Sequence, residues 1–419
     1  MKWKMLALPL LLACRLVAQS DMQGMNMPGM NMGSPAEDFL MGLSSGTSLN
    51  PAAWPMPMES HALGNWNVNL MAQGFLVDTQ QTGPRGGDKL YSSNWMMVSA
   101  QHKAGSRGAF QFDAMLSLEP ATITGREYPL LFQTGETAFG KPIVDGQHPH
   151  NLFMALGITY AYHVSDGVTV EVGFHPVGDP TLGPVAYPHR ASAEELPEAP
   201  ISHHLQDSTH IADDVLTAGI AYQKFKLEAS GFYGSEPGEN RWIIQQGPMN
   251  SWAARLWYLP SKNWAAQVST GRLTHPEALE PGDQIRTTAS LSYSKPIGES
   301  SWSSSLIWGR NHYTATQQNG NSFLAETVVP VTKFNHLTAR FELVDKNELF
   351  PGVANAPNAR IGEYTAGYTR YFPAFRMLQT GVGANVTFYT TPADIKREYG
   401  NHPISGNVYI CFRLHPVSP

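Results

Sequence analysis

Five methionines, Met22, Met25, Met27, Met30 and Met32, stand close together near the N-terminus in a run otherwise made of Gly, Asn, Gln and Pro. Thioether sulfurs are soft ligands that select Cu(I), and a segment too poor in bulky residues to build a core leaves them free to converge on one ion. Met56 and Met58, followed by His61, extend the same chemistry. A second constellation is built from imidazoles. The chain carries 15 histidines, among them His148, His150, His175, His203, His204 and His210. Asp145, Asp179, Asp207, Asp213 and Asp214 accompany them, and imidazole with carboxylate suits Zn²⁺ or Cu²⁺. His148-Pro149-His150 is the sharpest piece, because an extended His-x-His puts both rings on one side. Two other readings stay open for these residues. The rings and carboxylates can bond one another to tie down long loops, or Ser202 or Ser208 can join them in a hydrolytic triad, although no nucleophile elbow surrounds either serine.

Strands are what must position these groups. In 109–119, Phe110, Phe112, Ala114, Leu116 and Leu118 share one parity, against Gln111, Asp113, Ser117 and Glu119 on the other. The segments around Leu156, Ile285 and Ile410 repeat the pattern. Between 63 and 415 the chain divides into about sixteen such segments, and the spacers joining them alternate short and long. Short spacers fall at 103–108, 165–167, 223–225, 259–263, 295–300, 330–333 and 372–374. Long ones fall at 79–89, 120–149, 176–213, 235–250, 274–283, 312–321, 345–358 and 391–403. The expected fold is all-β: a transmembrane antiparallel β-barrel with short periplasmic turns and long extracellular loops. Aromatic residues crowd the short turns, notably Tyr160, Tyr162, Tyr222, Phe225, Trp257, Tyr258, Trp264, Tyr293, Trp302, Tyr371, Phe372 and Phe375, as an interfacial girdle requires.

Composition agrees. Charged residues make up 15% of the chain, against about 25% in soluble globular proteins, and no long apolar run suits a helical span. A formal charge of −6 without a basic cluster argues against nucleic acid as a partner. Lys2 and Lys4 precede an apolar run at 5–13, and Ala18-Gln19-Ser20 supplies small residues for cleavage, so 1–20 reads as a signal peptide. Leu11-Leu12-Ala13-Cys14 offers lipoprotein processing instead; otherwise Cys411 is the one cysteine left after cleavage and no disulfide forms. Residues 21–62 then form a flexible Met-rich periplasmic segment and 63–415 the barrel, placing the protein in the bacterial outer membrane.

The Met-x-x-Met-x-Met repeats at 22–32, behind a signal peptide and ahead of a barrel, resemble the leaders of the copper-resistance outer-membrane proteins of the B type. That resemblance implies copper ions as a partner. The barrel itself looks porin-like, which implies outer-membrane lipid and small hydrophilic solutes as partners, and a homotrimer. Inward-facing parity collects Asn65, Asn67, Asn69, Gln73, Gln111, Asp113, Glu119, Thr159, Glu171, Thr288, Ser290, His336, Arg340 and Glu342, and the long segment 176–213 can fold inward and narrow the lumen. The leading expectation is a porin-like channel, not an enzyme, with no required cofactor and with copper handling through its leader. A copper-sequestering barrel is the alternative, and a metalloenzyme using the histidine rim is the third reading.

Overall fold

The computed structural model describes residues 33–415 apart from 45, 279–280 and 354–357. The expected signal peptide and Met22, Met25, Met27, Met30 and Met32 lie outside the described residues. The strands are β1 (Glu59–Leu63), β2 (Trp66–Gln81), β3 (Asp88–Ala104), β4 (Gly108–Leu116), β5 (Tyr128–Ala138), β6 (Lys141–Gln147), β7 (Phe153–Ser165), β8 (Val168–Gly178), β9 (Ala212–Tyr222) and β10 (Phe225–Tyr233). They continue as β11 (Ser251–Ser261), β12 (Trp264–Leu273), β13 (Gln284–Ile297), β14 (Ser300–Tyr313), β15 (Gln318–Thr332), β16 (Asn335–Lys346), β17 (Ala359–Tyr371), β18 (Leu378–Thr390) and β19 (Ile404–Leu414). Short helices are α1 (Pro35–Met41), α2 (Glu119–Thr122), α3 (His203–Gln206) and α4 (Lys396–Tyr399).

Leaving out β1, β5 and β6, the strands form one closed antiparallel barrel of 16. It closes where β19 pairs with β2, from Ser405↔Gln81 to Arg413↔Gln73. Below that seam β1 folds back on β2, from Glu59↔Leu70 to Leu63↔Trp66, through a turn at Gly64 with φ of 62°. The lower edge of β2 is thereby paired, and an unpaired edge is what a bilayer does not tolerate. Alternation decides the faces. Along β14, Ser301, Ser303 and Ser305 are buried while Trp302 and Leu306 are exposed. Leu227, Val268, Leu306 and Val408 are each more than half exposed on the outside, a surface that suits acyl chains.

All seven expected short turns are present, and both β2 and β19 have their free ends on that side. The 312–321 connection is an exception among the long ones: β14 and β15 run on and meet in the turn 314–317, closed by Gln317 N–H donating to the Tyr313 carbonyl. Polar residues do not end a strand that projects beyond the hydrocarbon, so polarity overstated that loop. The girdle also needs correction at two places. Tyr222, Phe225, Tyr258, Trp264, Trp302 and Phe375 are exposed beside the short turns, and Phe225 stacks on Tyr258 at 5.0 Å. Trp257 and Tyr371, however, occupy inward positions and are buried, because neighbours in a strand face opposite ways.

The lumen is filled. Residues 179–211, the connection from β8 to β9, turn inward and are buried almost throughout. They are bonded to the far wall: Glu195 accepts from Tyr371 Oη at 2.9 Å and meets His336 Nδ1 at 2.6 Å, and Glu198 accepts from Asn385 at 2.9 Å. Glu342 of β16 accepts the backbone N–H groups of Ile201 and Ser202 at 3.1 and 2.8 Å. At Gly309 of β14 an added Cβ would stand 2.1 Å from the Leu205 carbonyl oxygen, so a side chain there would prevent this approach.

Residues 33–58 enter from the short-turn end, although they belong to the segment expected as flexible. Ser34 caps α1, its N–H donating to Glu37 at 2.7 Å, with Pro35 opening the helix. Ala36 and Leu40 share one helical face and pack on Ala109 and Ala161 of the wall. Lys226, buried between Glu171 and Glu228, donates to the Thr47 carbonyl at 2.9 Å, and Arg255 donates to the Thr47 hydroxyl at 2.6 Å. Low-complexity composition ends at about 33, and the apolar face that follows finds small residues to cover it.

Candidate metal centre

Three elements meet at the long-loop end of the lumen. One is the 117–152 connection, which holds α2 and the β5–β6 hairpin. The second is the buried connection 179–211, which holds α3. The third is a pair of loops, 234–250 and 274–283. Of the histidine-rim residues, His148, His150, His203, His204, His210 and Asp207 are brought together, and all are buried. His203 and His210 rings are 5.5 Å apart, His203 and His204 5.2 Å, and His148 and His204 5.7 Å. His175 is not among them. It is an inward residue of β8 whose ring lies against Gly157 and Thr159, with Asp113 as its charged neighbour. Parity placed it inside correctly, but β8 carries it to a different stretch of wall. Asp145 leaves the group as well, paired with Arg85 at 3.0 Å.

One ligand nitrogen from each of His148, His203 and His204 falls within 4.8 Å of the other two. Their orientation follows from what holds the second nitrogen. His203 Nδ1 bonds Asp207, and His148 Nδ1 donates to the Pro149 carbonyl at 3.1 Å. Such contacts fix the tautomer with the proton on Nδ1 and leave the Nε2 lone pair free, as in carboxylate–histidine–metal arrangements. His148 Nε2 then faces Glu136 Oε1 at 3.1 Å, a contact that a shared proton or a bound cation completes, while Arg241 pairs with the other Glu136 oxygen. Burial pushes His203 and His204 down to about 4, and drives His148 and His210 well below the usual histidine range. The rings are therefore neutral near pH 7, the form that binds metal.

His204 is shared with a second group, since Glu236 and Glu277 bring a carboxylate oxygen to within 4.8 Å of its nitrogen and of each other. Burial raises Glu236 to about 7, and burial together with the Glu236 charge beside it raises Glu277 to about 8. Gly135, at φ of 113° in the hairpin, lets the His204 ring lie against the backbone; a Cβ there would stand 2.4 Å from Cε1. His150 is held differently, by Glu119 at 2.9 Å and by the Tyr187 hydroxyl at 3.2 Å, so both of its nitrogens are engaged. Serine chemistry finds no footing: the Ser208 hydroxyl accepts from Arg286 at 2.8 Å, and no hydrogen bond joins Ser202 or Ser208 to a histidine among the described residues.

No protein-family model matches the chain, and neither does any curated sequence. Solved structures do match. The anion-selective porin from Comamonas acidovorans gives a TM-score of 0.53 at 10% identity, over 83% of this chain and 100% of its own. OmpF of Salmonella typhi, solved with daunomycin, gives 0.51 at 9% identity over 85% and 100%. The loop-deleted OmpT of Vibrio cholerae gives 0.50 at 9% identity over 84% and 99%. The fold is that of a porin. A closed ring of strands with an apolar exterior is a bacterial outer-membrane barrel, and the likeness at such low identity extends to architecture alone.

Within this porin fold the sequence pattern missed Glu136, Tyr187, Glu236 and Glu277. Each belongs to a connection on the long-loop side, so the alternation of spacers already put them at one rim. Their convergence on the histidines, Glu136 on His148, Tyr187 on His150, and Glu236 and Glu277 on His204, depends on how the loops fold inward, which alternation does not encode.

Proposed function

We propose that this porin-fold barrel binds a transition-metal ion in a closed lumen, with His148, His203 and His204 as ligands and Asp207 and Glu136 orienting or completing the set. The observation that carries this reading is the His148 Nε2 lone pair facing Glu136 beside two further neutral imidazoles. Nitrogen and carboxylate donors suit Zn²⁺ or Cu²⁺. The barrel is not an enzyme in this reading, because the buried cluster holds no nucleophile bonded to a base. Co²⁺ is the practical probe, since its visible bands report ligand number. Titration of the folded full chain is expected to show one saturable ion, with His203→Ala weakening it about tenfold or more. Equal affinity in the parent and in His148→Ala and His203→Ala would remove the reading.

A second reading, a channel for small hydrophilic solutes, is favoured by the polar wall that carries Gln111, Asp113, Thr159 and Thr288. Conductance across a planar bilayer tests it. A correctly folded barrel that passes no current under any applied voltage would exclude it.

A further inference from the structure

Away from the histidines, the lumen wall carries a row of methionines. Met71 of β2 pairs directly with Met97 of β3, and Met97 with Met115 of β4. Met154 sits in the β-bulge where β7 meets β4, between the pairs Met115↔Ala155 and Leu116↔Phe153. All four are buried on the inner face, so their side chains stand as neighbouring rungs with Cβ atoms about 5 Å apart. Met58 packs against this row as a buried residue, and Met41 and Met56 as partly buried ones. The chain has 17 methionines, and this one cluster gathers seven of them from α1, four strands and the segment before β1.

Methionine often fills irregular gaps in a core. Two features here exceed gap-filling on an inner face that carries polar Asn69, Ser99, Gln101, Gln111 and Asp113 together with apolar Phe75, Val77, Tyr91 and Trp95. His189, from the inward connection 179–211, brings Nε2 to 3.0 Å from Met115 Sδ, with the Trp95 ring 4.5 Å from its own. Beside them is a cavity of about 30 Å³, lined by Met56, Met71, Trp95 and His189. By this measure one water molecule needs roughly 10–15 Å³, so there is room for one ion. Arg190, Arg413 and Glu194 also border the cavity; Glu326 and Asp207 pair with the first, and Glu195 lies 3.7 Å from the second.

We infer that this methionine row, with His189, is a binding site for a soft monovalent cation, Cu(I) or Ag(I). Thioether and imidazole donors are soft to borderline and uncharged. They hold a soft, singly charged ion better than a hard divalent one, which prefers oxygen donors. The site is separate from the histidine centre in both donors and preferred ion, and it does not rest on that reading.

The test uses the folded full chain in detergent, without oxygen, with Met22, Met25, Met27, Met30 and Met32 all changed to Leu so that the leader contributes nothing. Ag⁺ and Cu⁺ are titrated against a chromophoric chelator. One ion per chain is expected, and adding Met97→Leu with Met115→Leu should weaken it about tenfold or more. Leucine conserves volume, so the barrel should keep its heat-modifiable migration on gels. Met71→Leu with Met154→Leu serves as a second pair if the first does not fold. Arg310→Ala, on the outward face of β14, should leave the affinity within about twofold. No binding by the leader-substituted chain, or unchanged affinity in a folded ladder variant, would overturn the proposal.

Discussion

Arg190 is the test of whether the lumen is held shut. It lies on the inward connection with its side chain fully buried, its Nε 2.5 Å from Glu326 of the wall and its Nη1 2.8 Å from Asp207. Arg190→Ala removes both pairs together with a hydrogen bond to the Val185 carbonyl at 2.9 Å. Breaking a buried ion pair costs about 3–5 kcal/mol, most of it from the charge left behind. Here Glu326 keeps Arg340 at 3.0 Å and Asp207 keeps His203, so neither carboxylate is stranded and the lower end, about 3 kcal/mol, applies. At about 1.4 kcal/mol per factor of ten, the undocked state of this connection should gain roughly two powers of ten in population. The strands do not depend on Arg190, and the barrel should remain intact by circular dichroism and heat modifiability. Single-channel recording in planar bilayers is the assay. The parent is expected to be closed most of the time, and the variant to open roughly a hundredfold more often. Arg310→Ala, on the outward face of β14, should match the parent. Indistinguishable traces from Arg190→Ala and parent would refute the argument that this network holds the connection in the lumen.

Two further outcomes follow from the geometry. Gly135→Ala puts a methyl group 2.4 Å from His204 Cε1 at a positive φ, so the ring must move, and Co²⁺ affinity should fall by about tenfold while Ag⁺ affinity stays the same by the same titrations. An epitope tag placed within 234–250 should be labelled by antibody on intact cells, whereas one at 298–299 should be labelled only after the outer membrane is opened; the opposite pattern would invert the assigned sidedness.

Much of the architecture was legible because a membrane-spanning strand has a period of two and each element answers to local sequence. The parity of Phe110, Phe112 and Leu116 against Gln111 and Asp113 announced the wall, and the spacing of turns announced the count of strands. Trp257 shows the limit of composition used without parity: it is aromatic and near a short turn, yet it faces inward beside Arg255. The histidine site was half legible. His148, His203, His204, His210 and Asp207 do meet, but His175, equally inward, does not, because which inward residues face each other across a lumen depends on the path of the loop between them. A readable signal went unused in the methionine row. Met71, Met97 and Met115 stand on the inward parity of three successive strands, at positions that pair across them.

By itself the sequence determined what each strand shows to either side, since alternation is a property of the local backbone and needs no partner. It also determined the order of turns and loops, and therefore which groups share an end of the barrel. Only the tertiary structure decided that the lumen is filled, because residues 179–211 and 33–58 are held there by contacts such as Arg190 with Glu326 and Lys226 with Thr47, between groups more than a hundred positions apart. The same folding created both sets of ligands. Chain connectivity does not say which side chains a loop will meet across an open space; that is set by packing and charge pairing once the ring has closed.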